Sequence, residues 1–444
     1  MSGIVASTGR VSAIILVASA LIALDVFWAV DSGALGLTLI GFLAALRVYN
    51  AVAQTSLSAC RVYVDVKGSV EGKPLTVEYN VCNNSWIPIA LVEVSLVYPS
   101  YLKLVRGSPG GLTVIPPREC VKYRAELLAR VGKHKIGPLK AVLRDLFGFF
   151  RGLELTLGDP VEVKVKPRED ESLRRVLLEI SRSVGLSRAR RPGEGSEFYA
   201  TRDYKPGDEV RRVYWKALAK GRMAVKEFER ESTLHTLFLI LADKSMLYGP
   251  QLSTPLEHIA RITVTIARHL ASKGDYVGLL VVSNGKTLGG RLERGWKGYR
   301  RVADALSNID YDSIIGSTEN PESGISPEQL VGKLLASTPS REKVNVILIN
   351  TVEGTEKYSR QFKKLQSLKA CTLHSFIIIP HLYGIEKLKA FERAVYRIKT
   401  YEDTRKAYDK VRELRREGIK AVPVTPWDAA AKIISKLETV RGLA

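Results

Sequence analysis

Charged side chains and aromatic rings are concentrated in one short stretch of the chain, and their types suit an ion network or a contact surface. The charged candidates for such a role are Arg202, Asp203, Asp208, Arg211, Arg212 and Lys216, and the candidate rings are Phe198, Tyr204 and Trp215. Paired Arg and Asp side chains lock a loop when every donor is met, whereas Trp and Arg also dominate protein interfaces. We expect a structural network first, with the rings packing the stretch onto a sheet, and an overlapping role in partner binding.

Turn-forming residues separate these groups. Glycine and proline recur from Pro192 to Gly221, so the stretch is no simple amphipathic helix, and its aromatic content is unlike that of a free linker. The pattern predicts an ordered segment of turns and short helix that leads into the domain after Glu231.

Sequence signatures of enzymes are absent. The chain has no Gly-x-x-x-x-Gly-Lys phosphate loop, no Gly-x-Ser-x-Gly elbow, no His-Glu-x-x-His pair and no Gly-x-Gly-x-x-Gly turn after a strand. The six histidines are scattered, and His258 and His269 are not at the spacing of a metal-binding pair. An enzymatic use of Asp203 or Asp208 is therefore disfavoured.

The four cysteines include no Cys-x-x-Cys pair, which disfavours a zinc site. Cys60, Cys82 and Cys120 fall in one candidate domain, so a single disulfide could form among them, but the sequence does not assign its partners. Buried free thiols are the preferred interpretation.

From Thr233 onward, apolar runs alternate with helical patterns, as is typical of a parallel sheet covered on both faces. The predicted strands are Leu234–Leu241, Tyr276–Val282, Val344–Ile349, Thr372–Ile379 and Ile419–Val424, and the clearest helices are Pro255–Lys273, Gly298–Ile309 and Ala429–Val440. The sequence thus predicts a doubly wound α/β domain. Ligands in such sheets bind at the carboxyl ends of strands, where Asp243 and Ser245 follow the first strand.

Before this domain, short stretches alternate apolar and polar residues. Arg61–Lys67, Leu75–Val81 and Ala90–Val97 have the period of two expected for half-buried strands, and turn-forming residues separate them. This spacing predicts an immunoglobulin-like β-sandwich. A helix is predicted over Glu171–Gly185.

The N-terminal region is apolar. Residues 11–30 and about 34–53 are each long enough to span a bilayer, which predicts a transmembrane helical hairpin. Arg10 precedes the first span, Arg47 and Arg61 follow the second, and the connecting loop has no Lys or Arg. The positive-inside rule therefore places both ends, and the domains after them, in the cytoplasm. The alternative is a signal peptide followed by a secreted domain.

The overall charge restricts the classes of partner. The formal net charge of +21 over 444 residues is compatible with binding to nucleic acid, to an anionic membrane surface or to an acidic protein. Because the charge is spread along the chain without a recognised nucleic-acid motif, a basic surface beside anionic lipid is preferred, and nucleic-acid binding is disfavoured.

The aromatic and charged stretch closely resembles the signature of the domain-of-unknown-function 58 family. In that family a Gly-x-x-Phe … Arg-x-Tyr-x-x-Gly-Asp … Arg-x-Ile-Asp-Trp-Lys string precedes a von Willebrand factor A-like domain. The matching residues are Gly195, Phe198, Arg202, Tyr204, Gly207, Asp208, Arg211, Trp215 and Lys216. Tyr214 stands where the family usually has Asp. A second family pattern, Gly-Pro … Asp-x-Phe-Gly, ends the β domain here, and Asp145 within it is expected to accept backbone hydrogen bonds at the turn.

The resemblance to von Willebrand A domains also implies a metal site of the form Asp-x-Ser-x-Ser. Asp243 and Ser245 match its first two ligands, but Leu247 replaces the second serine. After the strand Val344–Ile349 the family often presents Thr-Asp, where this chain has Asn350-Thr351. Mg²⁺ needs a nearly complete shell of oxygen ligands, so the site is degenerate, and a cofactor other than Mg²⁺ is not expected.

These expectations combine into one organisation: a membrane hairpin (1–57), a β-sandwich (58–167), a connecting helix with the signature (168–232) and a von Willebrand A-like domain (233–444). The expected function is that of a membrane-anchored, non-enzymatic scaffold that binds a protein partner. Members of the family are commonly encoded beside AAA+ ATPases of the MoxR type, and the resemblance implies such a partner. The alternatives are a metal-dependent hydrolase at the Asp243 loop and, less favoured, a basic nucleic-acid-binding protein.

Overall fold

The computed structural model describes residues 6–7, 9–28, 32–145, 147–187, 192–229, 233–283, 286–316, 329, 331–332, 343–368, 371–379 and 388–443. The chain forms two compact units, Met1–Val165 and Lys166–Ala444. The last two residues of the first predicted span, 29–30, and the two ends of the signature region, 188–191 and 230–232, lie outside the described residues.

The first unit begins with two paired helices, α1 (Gly9–Trp28) and α2 (Gly33–Ser58). They approach closely at Gly36, where an added Cβ would lie 2.6 Å from the Ala18 carbonyl oxygen. Both helices are long and apolar enough to cross a membrane, although helices near an N-terminus with these properties also occur as signal sequences. Their apolar side chains are mostly exposed, with Leu16 at 71% and Phe27 at 76%, which is the surface expected for helices in contact with lipid.

The second helix is longer than predicted, and its last turns belong to a protein core. Ala53 and Leu57 are fully buried among residues of the β-sheets, and Gln54 Nε2 donates a hydrogen bond to the Leu153 carbonyl oxygen. Tyr49 binds the same domain through a hydrogen bond from its hydroxyl to the Pro88 carbonyl oxygen. The prediction that the membrane span extends to Ala53 is therefore wrong, because this part of α2 is covered by the β-sheets and not available to lipid.

Two antiparallel sheets follow and share one core. Their strands are β1 (Ala6–Ser7), β2 (Arg61–Lys67), β3 (Pro74–Cys82), β4 (Ile89–Leu96), β5 (Leu104–Gly107), β6 (Gly110–Ile115), β7 (Cys120–Leu128), β8 (Gly132–Ile136), β9 (Leu139–Arg144), β10 (Phe150–Leu157) and β11 (Val161–Val165). The sheet orders are β1-β10-β9-β4-β6 and β2-β3-β7-β5, with β8 and β11 forming a separate pair. The three strands predicted here were correct to within one residue at each end.

A disulfide joins Cys82 and Cys120, which are directly opposed residues of β3 and β7 with Cα atoms 4.0 Å apart. The preference for free thiols was therefore wrong for these two residues. Sequence spacing could not reveal that the strands holding them are neighbours. Cys60 is a half-buried free thiol. At the end of the unit, Asp145 accepts a hydrogen bond from the Phe149 N–H (2.9 Å), which confirms its predicted role in the turn.

The second unit contains one large sheet covered by helices. Its strands are β14 (His235–Leu241), β15 (Tyr276–Ser283), β16 (Lys286–Gly289), β17 (Glu293–Arg294), β18 (Val344–Asn350), β19 (Cys371–Ile378) and β20 (Lys420–Val424), and they follow a hairpin of β12 (Pro192–Asp203) and β13 (Ala224–Glu229). The sheet order is β16-β15-β14-β18-β19-β20, with β17 also pairing with β15. All neighbours from β15 to β20 pair in parallel, whereas β16 and β17 are antiparallel to β15.

The helices of this unit are α3 (Glu171–Ser187), α4 (Trp215–Leu218), α5 (Pro255–Ser272), α6 (Gly295–Ser307), α7 (Tyr311–Ile315), α8 (Val352–Lys357), α9 (Ser359–Gln366), α10 (Ala390–Arg416) and α11 (Ala429–Leu443). The central strands are buried on both faces, which explains why β14 and β18 consist almost entirely of apolar residues. The predicted doubly wound arrangement of this region agrees with the structure at the level of an α/β unit.

Candidate functional site

The signature stretch forms an antiparallel hairpin of β12 and β13, closed by a loop with a short 3-10 helix (Val210–Arg212) and α4. At the base of this loop, the Arg202 guanidinium makes two hydrogen bonds to the Asp208 carboxylate, of 2.8 and 2.6 Å. Its Nε donates to Glu227 on β13 at 2.9 Å. One arginine thus joins β12, the loop and β13, and the predicted Arg–Asp network exists.

The charge state of this network follows from its contacts. The Arg202 guanidinium, together with the Lys205 backbone N–H (2.8 Å), lowers the pKa of Asp208 to about 2. Gly207 precedes this carboxylate with a φ of +104°, a conformation that a residue with a Cβ rarely adopts. Asp208 therefore stays ionised and holds the turn in place. Asp203 instead pairs with Arg222 at 3.0 Å, and both side chains are more than 70% exposed, so this pair contributes little to stability.

The aromatic part of the prediction was wrong. Trp215 is 60% exposed and Phe198 is 53% exposed, so neither ring packs the stretch onto a sheet. The hairpin instead buries small aliphatic side chains between its strands and loop, namely Val213, Ala224 and Val225. The two large rings lie outside this buried group of small side chains.

The other predicted residues divide between the hairpin frame and its surface. Tyr204 is half-buried, and its N–H donates to the Met223 carbonyl oxygen at 3.0 Å. Arg211 and Lys216 are exposed, and neither makes an ion pair with a residue in the described part of the chain. The sequence prediction of turns and short helix missed both strands.

A second cluster lies where the sheet reverses its strand order. From β14 the chain moves to β15 on one side, and from β18 it moves to β19 on the other, so a crevice forms at the carboxyl ends of β14 and β18. Asp243 follows β14 and is 5% exposed. Its Oδ1 accepts hydrogen bonds from the Ser245 N–H (3.0 Å) and hydroxyl (2.5 Å). The Ser245 hydroxyl also lies 2.5 Å from the Thr351 hydroxyl, which follows β18.

The crevice is closed by the start of α8. Thr351 caps this helix by accepting a hydrogen bond from the Gly354 N–H at 3.1 Å, and the Asn350 side chain accepts from the Thr351 N–H at 2.9 Å. Gly354 is required here because a Cβ would lie 2.4 Å from Asn350 Oδ1 and 2.8 Å from Asp243 Oδ2. Thr351 and Gly354 were not among the predicted site residues, since nothing in the sequence shows that β18 lies beside β14.

The donor set of this crevice does not fit Mg²⁺. Asp243 supplies the one carboxylate at the crevice itself, and the described residues contain no group of three or more His, Cys, Asp or Glu side chains that could hold a metal ion. Its Oδ1 is already occupied by two donors from Ser245. Burial raises the pKa of Asp243, while the nearby Lys357 charge acts in the opposite direction. The charge of Lys357 acts on the same carboxylate and therefore opposes the approach of a cation to Asp243.

A small cavity of about 100 Å³ continues from the crevice towards α10. Lys399 on α10 pairs there with Glu353 (3.0 Å) and Asp403 (3.2 Å), so one cation lies between two carboxylates that line the cavity. Burial raises the pKa of Asp403. None of these three residues was among those predicted from the sequence.

The described residues therefore define a protein with two apolar N-terminal helices, antiparallel β-sheets and a C-terminal α/β unit that carries a charged hairpin. Residues 200–367 match the family described as protein of unknown function DUF58, which is the family that the signature resembles. No curated protein sequence matches the chain.

Two solved structures show weak similarity. The conserved hypothetical protein BatB from Bacteroides thetaiotaomicron is 15% identical, and the match covers 48% of this chain and all of that one, with a TM-score of 0.30. A Bacteroides uniformis beta-glucuronidase is 10% identical, with 74% of this chain and 37% of that one covered and a TM-score of 0.15. At these TM-scores neither similarity bears on the fold or the function.

Proposed function

We propose that this chain is a non-enzymatic scaffold at a membrane and that it binds a protein partner through the signature hairpin. The observation that carries the proposal is the exposure of large apolar side chains on this hairpin, whose strands and loop are held together by the ion pairs of Arg202 with Asp208 and Glu227. The exposed apolar residues are Phe198, Val210, Trp215, Leu218 and Met223, each at least 38% exposed. Folding alone gives no reason to place them in water, whereas Trp, Met and Arg are enriched at protein interfaces.

The clamp between Arg202 and Asp208 supports this function by fixing the hairpin before a partner binds. A surface that is ordered in advance loses less conformational entropy on association, so its contacts contribute more to affinity. Arg211 and Lys216 lie on the same loop and are exposed, which suits a partner with acidic groups around an apolar centre.

We propose a von Willebrand A-like fold for the α/β unit and an immunoglobulin-like fold for the β-sheets. Strand order and the antiparallel edge of the large sheet support the first assignment, and two antiparallel sheets around a shared core support the second. The AAA+ ATPase of the MoxR type is the partner that we propose, on the basis of the family resemblance. A hydrolase at Asp243 is disfavoured because the carboxylate is buried, bonded to Ser245 and close to Lys357.

Membrane attachment through α1 and α2, with the later domains in the cytoplasm, is part of the same proposal. The positive-inside distribution of Arg10, Arg47 and Arg61 supports this orientation. The Cys82–Cys120 disulfide argues against it, because disulfides usually persist in oxidising compartments.

The test is capture of a purified MoxR-type AAA+ ATPase by the full-length chain in detergent, with ATP present. Trp215→Ala and Arg211→Ala should each reduce capture about tenfold or more, as expected for central interface residues. Trp427→Ala is the matched control, since Trp427 is an exposed tryptophan (50%) outside the hairpin. Equal capture by the wild type and all three variants would refute the role of the hairpin, and no capture by the wild type would refute the choice of partner.

A further inference from the structure

A second site lies at the edge of the large sheet, away from the hairpin and from the crevice. A groove of about 990 Å³ opens over β19 and β20 beside α11, and we call it the basic groove. Its volume is at the upper end of the range of small-molecule sites. Its floor includes His374 and Phe376, which are both 2% exposed, and its rim includes Lys420 and Lys436.

The charged side chains that line the basic groove are all positive. Arg415, Lys420, Lys432 and Lys436 line it, and no acidic side chain does so among the described residues. Two of these cations are occupied: Lys432 pairs with Asp428 at 2.6 Å, and Arg415 Nε donates to the Ala421 carbonyl oxygen at 2.9 Å. Lys420 and Lys436 make no ion pair within the described part of the chain, so their charge is available to a ligand.

His374 is the polar group on the floor of the groove. Its Nε2 is buried and has no hydrogen-bond partner among the described residues. Burial, together with the charges of Lys420 and Lys436, lowers the pKa of His374 to about 4, so the ring is neutral at pH 7. A buried polar atom without a partner is uncommon in a folded protein and marks a place where a ligand group or water is needed.

From these observations we propose that the basic groove binds an organic anion with an apolar body. The anionic group, a carboxylate or a phosphate, lies between Lys420 and Lys436 near His374. The apolar body packs on Phe376 and on the aliphatic side chains Ile419 and Val422. A ligand of this kind matches both the unbalanced positive charge and the apolar floor.

A peptide that adds a strand to β20 is the other possible occupant, and the chain disfavours it. Pro423 lies within β20 and has no N–H, so it interrupts the row of donors that an added strand needs. Proline on an edge strand is a common device against such pairing. A small molecule in the groove requires no continuous strand edge.

The test uses 2-naphthoate as the probe and the full-length chain in nanodiscs of phosphatidylcholine, with calorimetry as the readout. We expect saturable binding of one naphthoate per chain, no binding of 2-naphthylmethylammonium, and weaker binding at higher salt. Lys436→Gln changes an exposed side chain and should weaken naphthoate binding about tenfold, whereas Lys286→Gln, at an exposed lysine on β16, should not change it. Both lysine variants are expected to fold because neither site is buried.

Adding phosphatidylglycerol to the nanodiscs identifies the source of the anion. Competition with naphthoate would indicate a lipid headgroup, and unchanged naphthoate binding would indicate a soluble ligand. His374→Phe should also weaken binding, but Lys436→Gln decides the question if the histidine variant fails to fold. Absence of naphthoate binding to the wild type, or equal binding by Lys436→Gln and the wild type, would overturn the proposal.

Discussion

Removal of the Cys82–Cys120 disulfide should destabilise the first unit without changing its fold. The two cysteines are 38 residues apart in sequence and end the paired stretch of β3 and β7. In the chain-entropy description, closing a loop of this length stabilises the folded state by about 4 kcal/mol at 25 °C. We therefore expect Cys82→Ser/Cys120→Ser to lower the free energy of unfolding by about 3–4 kcal/mol.

The native geometry should survive because a second set of bonds holds the same two loops together. The Asn83 N–H donates to the Glu119 carbonyl oxygen at 2.9 Å. The Asn83 side-chain amide donates to the carbonyl oxygens of Ile115 (3.3 Å) and Pro116 (3.2 Å). The effect of losing the disulfide should consequently arise mainly in the unfolded chain, with little change in the rate of local opening near Asn83.

The assay is denaturant unfolding of the full-length chain in detergent, with hydrogen exchange of peptides from β3 and β7 to assign the transition to the first unit. Cys60→Ser is the matched control, since Cys60 is a half-buried free thiol whose loss should have a small effect. A difference below about 1 kcal/mol between the double variant and this control would refute the reasoning. Gel-shift labelling of thiols in intact cells then tests the orientation: blocked Cys82 and Cys120 argue for an oxidising compartment, and labelled ones for the cytoplasm.

The remaining predictions concern a buried charge cluster in the second unit. Arg441→Met should lower the free energy of unfolding by about 3–5 kcal/mol at pH 7, because it leaves the carboxylate of Asp275, which is 1% exposed, without its guanidinium. This loss should shrink as the pH falls, since burial already raises the pKa of Asp275 and protonation removes the unpaired charge. Burial lowers the pKa of His269 to about 4, whereas its pKa in the unfolded chain is near 6.5. The free energy of unfolding should therefore decrease as the pH falls from 6.5 towards 4, with a loss of about 2 kcal/mol at pH 5. His269→Gln should remove this loss.

Both predictions are measured by denaturant unfolding, with hydrogen exchange of peptides from β14 and β15 to locate the effect. Asp275→Asn/Arg441→Met is the control for the first, because the double variant carries no buried unpaired charge and should recover part of the stability. A loss that stays the same from pH 7 to pH 5 would contradict the account of Asp275. An equal pH dependence of the wild type and His269→Gln would contradict that of His269.

The fold of the second unit was predictable where local pattern and burial agree. β14 and β18 are buried on both faces, so every position tends to be apolar and the strand is visible as a continuous run. The capping box at Thr254 and Glu257 likewise marks the start of α5 in the sequence. These strands and this helix start are predictable because the residues that determine them lie only a few positions apart in sequence.

The signature hairpin shows the opposite case. Its aromatic residues are the kind that usually pack against other elements, and the sequence predicts that Phe198 and Trp215 pack the stretch onto a sheet. Burial depends on the space that the rest of the fold provides, and the residues that this hairpin buries include the small side chains of Val213, Ala224 and Val225. An aromatic residue in a polar, glycine-containing segment is therefore ambiguous in sequence, and its exposure in the structure is the stronger indication of a binding surface.

The crevice shows why a chemical site can be found only in part from sequence. Asp243 was identified because it directly follows a recognisable strand, but Ser245 bonds to Thr351, a residue 106 positions away. That contact exists because β18 lies next to β14, and strand order is a property of the whole sheet. The same contact bears on the chemistry, since the hydroxyl group that accepts this hydrogen bond has one lone pair fewer for a metal ion. In the folded chain the two residues that match metal ligands in sequence are also joined by hydrogen bonds to each other and to the end of β18.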